Sequence, residues 1–164
     1  MRGRIGTAIT RAGVPIRKLA WEGERLRWRL FHPVTLGARV VLLRGDEVLL
    51  IRHTYRDGWY FAGGGVDKGE TLEAAACREA EEEAQATVKS IELLGVYANF
   101  GEGKSDHVAV FVARDFELRE FVPNNEIAER AWFPLDELPE SLSAATRRRL
   151  EELAAGGVLR SGNW

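Results

Sequence analysis

Three consecutive glycines, Gly63-Gly64-Gly65, run within a few residues into a helix whose glutamates crowd one face. This stretch constrains the chain more than any other. A glycine run reaches backbone conformations closed to other residues and lets another group approach the main chain closely. Val66-Asp67-Lys68-Gly69-Glu70 follows, then Thr71, whose hydroxyl suits a helix N-cap, and Glu73, whose charge the first turn favours. Alanines at 74, 75 and 76 supply the best helix former. Glu79, Glu82 and Glu83 then stand at i, i+3 and i+4 and emerge on one face. Like charges this close repel unless water screens them or a cation neutralises them. Magnesium is held by one or two carboxylates together with waters and substrate phosphates. The pattern therefore points to a metal site directed at phosphate, with Glu79, Glu82 and Glu83 as ligands and Gly63 lending a backbone carbonyl. Glu70 and Arg78 are placed to pair and fix the loop against the helix. The plain alternative is an acidic helix that touches only water.

Gly64, five residues, Glu70, seven residues, then Arg78-Glu79-Ala80-Glu81-Glu82-Glu83 resembles the Nudix box of Nudix hydrolases. The departures are Gln85 where glycine is usual, Ala80 for a larger aliphatic residue, and Ala62 where proline is common. None removes a carboxylate. Glycine at position 85 would support a left-handed helix end, so with glutamine the helix is expected to run up to a turn further. A second stretch, Pro123 to Pro139, also resembles Nudix proteins, with acidic Glu126 ahead of a Trp132-Phe133 strand and a helix start at Asp136-Glu137-Leu138. The resemblance covers roughly Thr35 to Pro139. It implies hydrolysis of a phosphoanhydride in a nucleoside diphosphate linked to another group, with Mg²⁺ or Mn²⁺ bound. In that scheme Glu79, Glu82 and Glu83 hold metal, and one of them or Glu126 acts on the attacking water. Arg78 and Glu70 hold the frame, and Gly64 and Gly65 line the substrate. ADP-ribose, sugar nucleotides, dinucleoside polyphosphates, oxidised triphosphates and capped RNA all suit this chemistry. Two other classes compete: a Nudix-fold module that senses a nucleotide without cleaving it, and a membrane-associated adaptor acting through the N-terminus.

The remaining composition sets bounds. At 164 residues the chain holds one domain with a real core. A net charge of −2 gives no general affinity for DNA. The charge is uneven, however: residues 1–32 hold eight Arg or Lys against two Glu. We read 1–32 as a basic, helical N-terminal extension, with its helix over Pro15 to Phe31, and 33–164 as the Nudix domain. That helix offers a surface for a homodimer or for membrane contact, without stable anchoring. Cys77 is the single cysteine, which excludes an internal disulfide; its place among alanines suggests packing. With no long apolar run and no signal-like N-terminus, a cytoplasmic protein is expected.

Along the chain, Val34 to Leu43 and Val48 to Ile51 read as a hairpin around Gly45-Asp46. Arg52 to Phe61 then sets cations and aromatics just ahead of the glycine loop. Arg52 and Arg56 are placed to clamp a phosphate, and Trp59 or Tyr60 to stack on a base. The competing reading puts Trp59 and Phe61 in the core of a short strand and the arginines in water. Val88–Tyr97 and His107–Arg114 read as strands flanking a polar loop, Asn99 to Asp106, whose Lys104 is a further candidate substrate contact. His107 reads as a hydrogen-bonded strand-end residue. Leu142 to Ala155 forms an amphipathic helix, with Leu142, Ala145, Leu150, Leu153 and Ala154 facing the core and Gly156-Gly157 ending it. Strands alternating with helices at this length give an α/β fold, an α/β/α sandwich around a mixed sheet.

Overall fold

The computed structural model describes residues 34–100, 105–156 and 160–164. The expected N-terminal helix and Lys104 lie outside the described residues. In chain order the elements are β1 Val34–Arg44, β2 Glu47–His53, β3 Ala62–Gly65, α1 Leu72–Ala84, β4 Ala86–Asn99, β5 Ser105–Leu118, β6 Ile127–Pro134, α2 Ala144–Ala154 and β7 Arg160–Asn163. β1 and β2 form the expected hairpin, with Arg44 opposite Glu47 across the turn.

One seven-stranded mixed sheet results, in the order β6-β2-β1-β5-β4-β7, with β3 pairing β1 off that path. β1 runs parallel to β5 and antiparallel to β2 and β3. It is buried on both faces, and its side chains alternate between two cores. Ala38, Val40 and Leu42 face a cluster that includes Ala75, Ala76, Ala80 and Ala84 of α1. Val41 and Leu43 face a second cluster with Leu142 and with Leu150 of α2. A sheet with an apolar layer on each face needs a helix on each, which gives the sandwich expected from the sequence. These four of the five alanines of α1 are fully buried, so the helix backbone lies close to the sheet and carries Glu79 and Glu83 against β3.

Four local expectations change. Asp136-Glu137-Leu138 does not start a helix: Asp136 and Glu137 complete a turn closed by Glu137 N–H on Pro134 O (3.1 Å), and Leu138 is irregular. Pro139 follows at once and disfavours helical geometry at Leu138. The later helix begins at Ala144, because the backbone before it bridges to Trp59: Trp59 N–H donates to Ser141 O and Ser143 N–H to Trp59 O, both 3.1 Å. Ser143 then caps α2 by accepting from Thr146 N–H. In α2, Leu150 is buried as expected, but Ala154 is exposed and Arg149 takes a buried place instead. The helix is expected to run past Ala84, yet it ends there, with Gln85 in the left-handed conformation (φ 51°, ψ 42°). Glutamine tolerates that turn because its side-chain amide is fully used: Oε1 accepts from Val122 N–H (3.0 Å) and Nε2 donates to Val122 O (2.9 Å). Arg130 of β6 donates to Ala84 O (2.5 Å) and satisfies a carbonyl at the helix end. Among the described residues no helix is long and apolar enough to cross a membrane.

Candidate active site

The register of β3 on β1 opposes Arg39 to Gly63 and Ala38 to Gly64, which carries the glycine loop over the end of α1. Gly63 has a positive φ (151°), and a Cβ there would lie 2.2 Å from Ala38 O. At Gly64 a Cβ would lie 2.2 Å from Glu79 Oε1. Gly63 and Gly64 are glycines because the chain's own strand and carboxylate occupy the space that side chains would fill.

Thr71 caps α1 as expected, its hydroxyl accepting from Ala74 N–H (3.1 Å). Arg78 then organises the acidic face. Its Nε and NH2 both bond Glu70 at 2.9 Å, NH1 reaches Glu79 (2.7 Å) and Glu82 (3.3 Å), and NH2 also donates to Gly65 O (3.0 Å). The expected pairing of loop and helix through Glu70 and Arg78 is present, and it spreads to two of the three clustered glutamates. Those pairs hold the Glu70 carboxyl below its usual range and the Arg78 guanidinium further above its own.

Glu79 and Glu83 are buried while Glu82 is more open. Burial raises the Glu79 carboxyl against the pull of Arg78. Burial also pushes Glu83 up to about 7, opposed by Gly63 N–H, which donates to Glu83 Oε2 (2.7 Å). Two buried carboxylates with raised pKa values are short of positive charge, and a cation would supply it. Among the described residues no three Asp, Glu, His or Cys side chains converge enough to cage an ion unaided. Magnesium does not ask for that, since water and phosphate oxygens complete its shell. The donor set fits a hard divalent ion.

A cavity of about 1230 Å³ opens above these groups. It gathers Glu70, Glu79, Glu82, Glu83, Glu126, Gly63, Gly64, Gly65 and Arg56 from the expected set. Glu126 arrives on a fixed loop: Asn124 Oδ1 accepts from the N–H groups of both Glu126 and Ile127, and Thr54 N–H donates to Glu126 O. Three other expected contacts do not line the cavity. Arg52 is paired with Glu129 of β6 (2.6 Å). Trp59 packs in the second core, edge-on to Phe133 at 4.8 Å. Tyr60 has Arg56 over its ring (3.8 Å) and donates its hydroxyl to Asp57 O. Trp59 and Phe61 are core residues, as the competing reading held, but they precede β3 rather than form a strand, and Arg56 lines the cavity instead of standing in water.

Sequence reasoning missed Arg39, His53, Tyr55 and Asp106, all of which line the cavity. Arg39 donates through NH1 to Ala38 O (2.8 Å) and Gly64 O (3.0 Å), with Glu83 and Glu79 among the charges acting on it. Asp106 accepts from Thr35 Oγ1 (2.7 Å). His53 is buried, with Nε2 2.6 Å from Arg56 NH2 and Nδ1 3.9 Å from Glu83 Oε1. Position on an alternating strand was the available signal for Arg39 and His53. Arg39 sits on β1 and His53 ends β2, and strand pairing alone brings them to α1.

The sequence model described as NUDIX domain matches residues 33–153, most of the chain and the whole of this cavity. The chain belongs to the NUDIX family. This NUDIX protein is 33% identical over 126 residues to the mouse diphosphoinositol polyphosphate phosphohydrolase 3-alpha, covering 73% of the present chain and 76% of the mouse protein. It is 34% identical over 140 residues to the NAD-capped RNA hydrolase NudC of Pseudomonas syringae pv. syringae. That match covers 83% of the chain but only 49% of that protein. Among solved structures it resembles the MutT NUDIX hydrolase from Burkholderia pseudomallei with a TM-score of 0.68 and 31% identity, covering 74% of this chain and 98% of that one. With the motif and the fold, these relatives make the NUDIX domain described here a Nudix-type pyrophosphohydrolase.

Proposed function

We propose that this protein is a magnesium- or manganese-dependent hydrolase that cleaves the phosphoanhydride of a nucleoside diphosphate linked to another moiety. The observation that carries the reading is the pair of buried glutamates, Glu79 and Glu83, in a cavity that Arg39 and Arg56 also line. The two relatives named above act, by their names, on a diphosphoinositol and on an NAD cap, and both contain a diphosphate. Glu79, Glu82 and Glu83 would hold the ion, with the Gly63 carbonyl beside them. Such an ion supplies charge neutralisation for the phosphoryl oxygens and a water acidified by several units. Arg56 and Arg39 present guanidinium donors to the phosphates. Glu126, on its fixed loop, lines the same cavity as Glu83 and orients the attacking water. Arg78 holds Glu79 and Glu82 so that their geometry is set before substrate arrives. Arg52, Trp59 and Tyr60 support the wall from outside, through Glu129, the core and Arg56.

The test is phosphate release from a panel of nucleotides with and without magnesium. Activity should require the ion, and Glu82→Gln or Glu83→Gln should lower kcat by roughly two to four orders of magnitude while the fold survives. Wild-type turnover in those variants at saturating magnesium would overturn the assignment. Nucleotide binding without release would favour the sensing module. The division at residue 32, a cytoplasmic location and a homodimer through the N-terminal extension belong to the same proposal. Light scattering on the chain with and without residues 1–32 tests the dimer.

A further inference from the structure

Four buried side-chain nitrogens lack a hydrogen-bond partner among the described residues. Two of them, His53 Nδ1 and Arg56 Nε, belong to side chains already bonded to each other beside Glu83. A buried donor left unmet is costly, so native structures rarely keep one without a use. His53 is only 3% exposed, and its ring is wedged between Tyr55 (centroids 5.1 Å apart) and Tyr60 (5.6 Å, edge-on). Arg56, lying over the Tyr60 ring, brings NH2 to 2.6 Å from His53 Nε2. A guanidinium has donors only and does not deprotonate, so Nε2 must accept. The one ring proton therefore sits on Nδ1, which faces Glu83 Oε1 at 3.9 Å, beyond hydrogen-bond length. The other oxygen of that carboxylate is already held by Gly63 N–H.

We propose that His53 is a positioning residue that closes its Nδ1–H onto Glu83 Oε1 while its Nε2 anchors the phosphate-facing Arg56. Strand β2 then grips the carboxylate from one side as β3 grips it from the other. The same ring ties the metal-facing and phosphate-facing halves of the cavity together. This rests on the hydrolase reading above, in which Glu83 faces the ion and Arg56 the phosphate. Outer partners of metal-facing groups commonly set their orientation in this way.

Two substitutions separate the two bonds. In His53→Asn the amide nitrogen stands near the Nδ1 position, which keeps a donor toward Glu83 and removes the acceptor for Arg56. In His53→Gln the amide oxygen reaches the Nε2 position, which keeps the acceptor and removes the donor. Mn²⁺ binding to the full chain, followed by electron paramagnetic resonance, and KM for the best substrate of the nucleotide panel are measured on each. His53→Gln should weaken Mn²⁺ binding roughly tenfold or more with KM nearly unchanged, and His53→Asn should raise KM by a similar factor with Mn²⁺ binding nearly unchanged. Equal shifts in both constants, or none, would reduce His53 to a packing residue and overturn the proposal. Glu83→Gln is the control. If it leaves Mn²⁺ binding intact, the hydrolase reading fails; if it abolishes binding while the His53 variants behave as wild type, only the present inference fails. Nitrogen-15 spectra of the wild-type imidazole give a readout independent of variant folding: a proton on Nδ1 and none on Nε2 is expected, and the reverse overturns the proposal.

Discussion

Gly64 and Glu79 occupy each other's space, and that one contact explains much of the local sequence. A sequence reader sees three glycines and infers room for an anion. The structure gives part of that room to the protein's own carboxylate and part to Arg39 and the Ala38 carbonyl across the β1–β3 pair. The glutamates themselves were legible, because i, i+3 and i+4 spacing is a local property of any helix. Arg39 and His53 were not, since strand alternation says which face a residue takes but not which helix that face will meet. Trp59 illustrates the opposite error, where an aromatic beside a functional loop serves the core. Glu83 also sets a pH dependence. Its carboxyl is raised from 4.5 to about 7, so the folded state keeps a proton that the unfolded chain has already lost. That group's contribution is greatest below pH 4.5 and is lost as pH rises through 7, a loss of order 3 kcal/mol if the carboxylate is left uncompensated. In chelator, Tm should therefore fall between pH 5 and pH 7.5. Magnesium should restore more of it at the higher pH, and Glu83→Gln should flatten the profile. Differential scanning fluorimetry with and without magnesium measures all three.

The helix α1 shows how an element can be right in outline and wrong at its end. Its N-cap and its buried alanine stripe follow from composition and spacing. Its C-terminus does not, because Gln85 adopts a left-handed turn whose stabilising partner, Val122, lies 37 residues away. No local rule sees that bond. Replacing Gln85 by alanine removes both amide bonds and keeps a Cβ at positive φ, which should cost about 1–2 kcal/mol. Glycine loses the same bonds but relieves the backbone, so Gln85→Gly should be the milder change of the two. Urea unfolding of the pair ranks them, and a larger loss for glycine would contradict this account of the turn. The turn at Asp136 is the opposite case, since Pro139, three residues on, is a local signal against the helix that the acidic residues suggest.

At the scale of the whole molecule, the sandwich was legible from alternation of strands and helices, while the strand order was not. β7, which runs parallel to β4 at the sheet edge, has no apolar pattern of its own. It is held by Arg149 of α2, which donates to Asn163 O (3.1 Å), pairs with Glu152 (2.8 Å) and lies over the Tyr97 ring (3.8 Å). This buried arginine lies outside the cavity lining, so stability and catalysis should separate there. Arg149→Ala leaves Glu152 without its cation and should cost on the order of 3–5 kcal/mol. The expected result is a much lower Tm with kcat at 25 °C retained in the folded fraction, measured by calorimetry and turnover side by side. β1, finally, is hydrogen-bonded to three strands and supplies both Arg39 and the floor beneath the glycines. Fraying at β7, one rim of the sheet, leaves that strand untouched, so the glycine loop keeps its support while that rim opens.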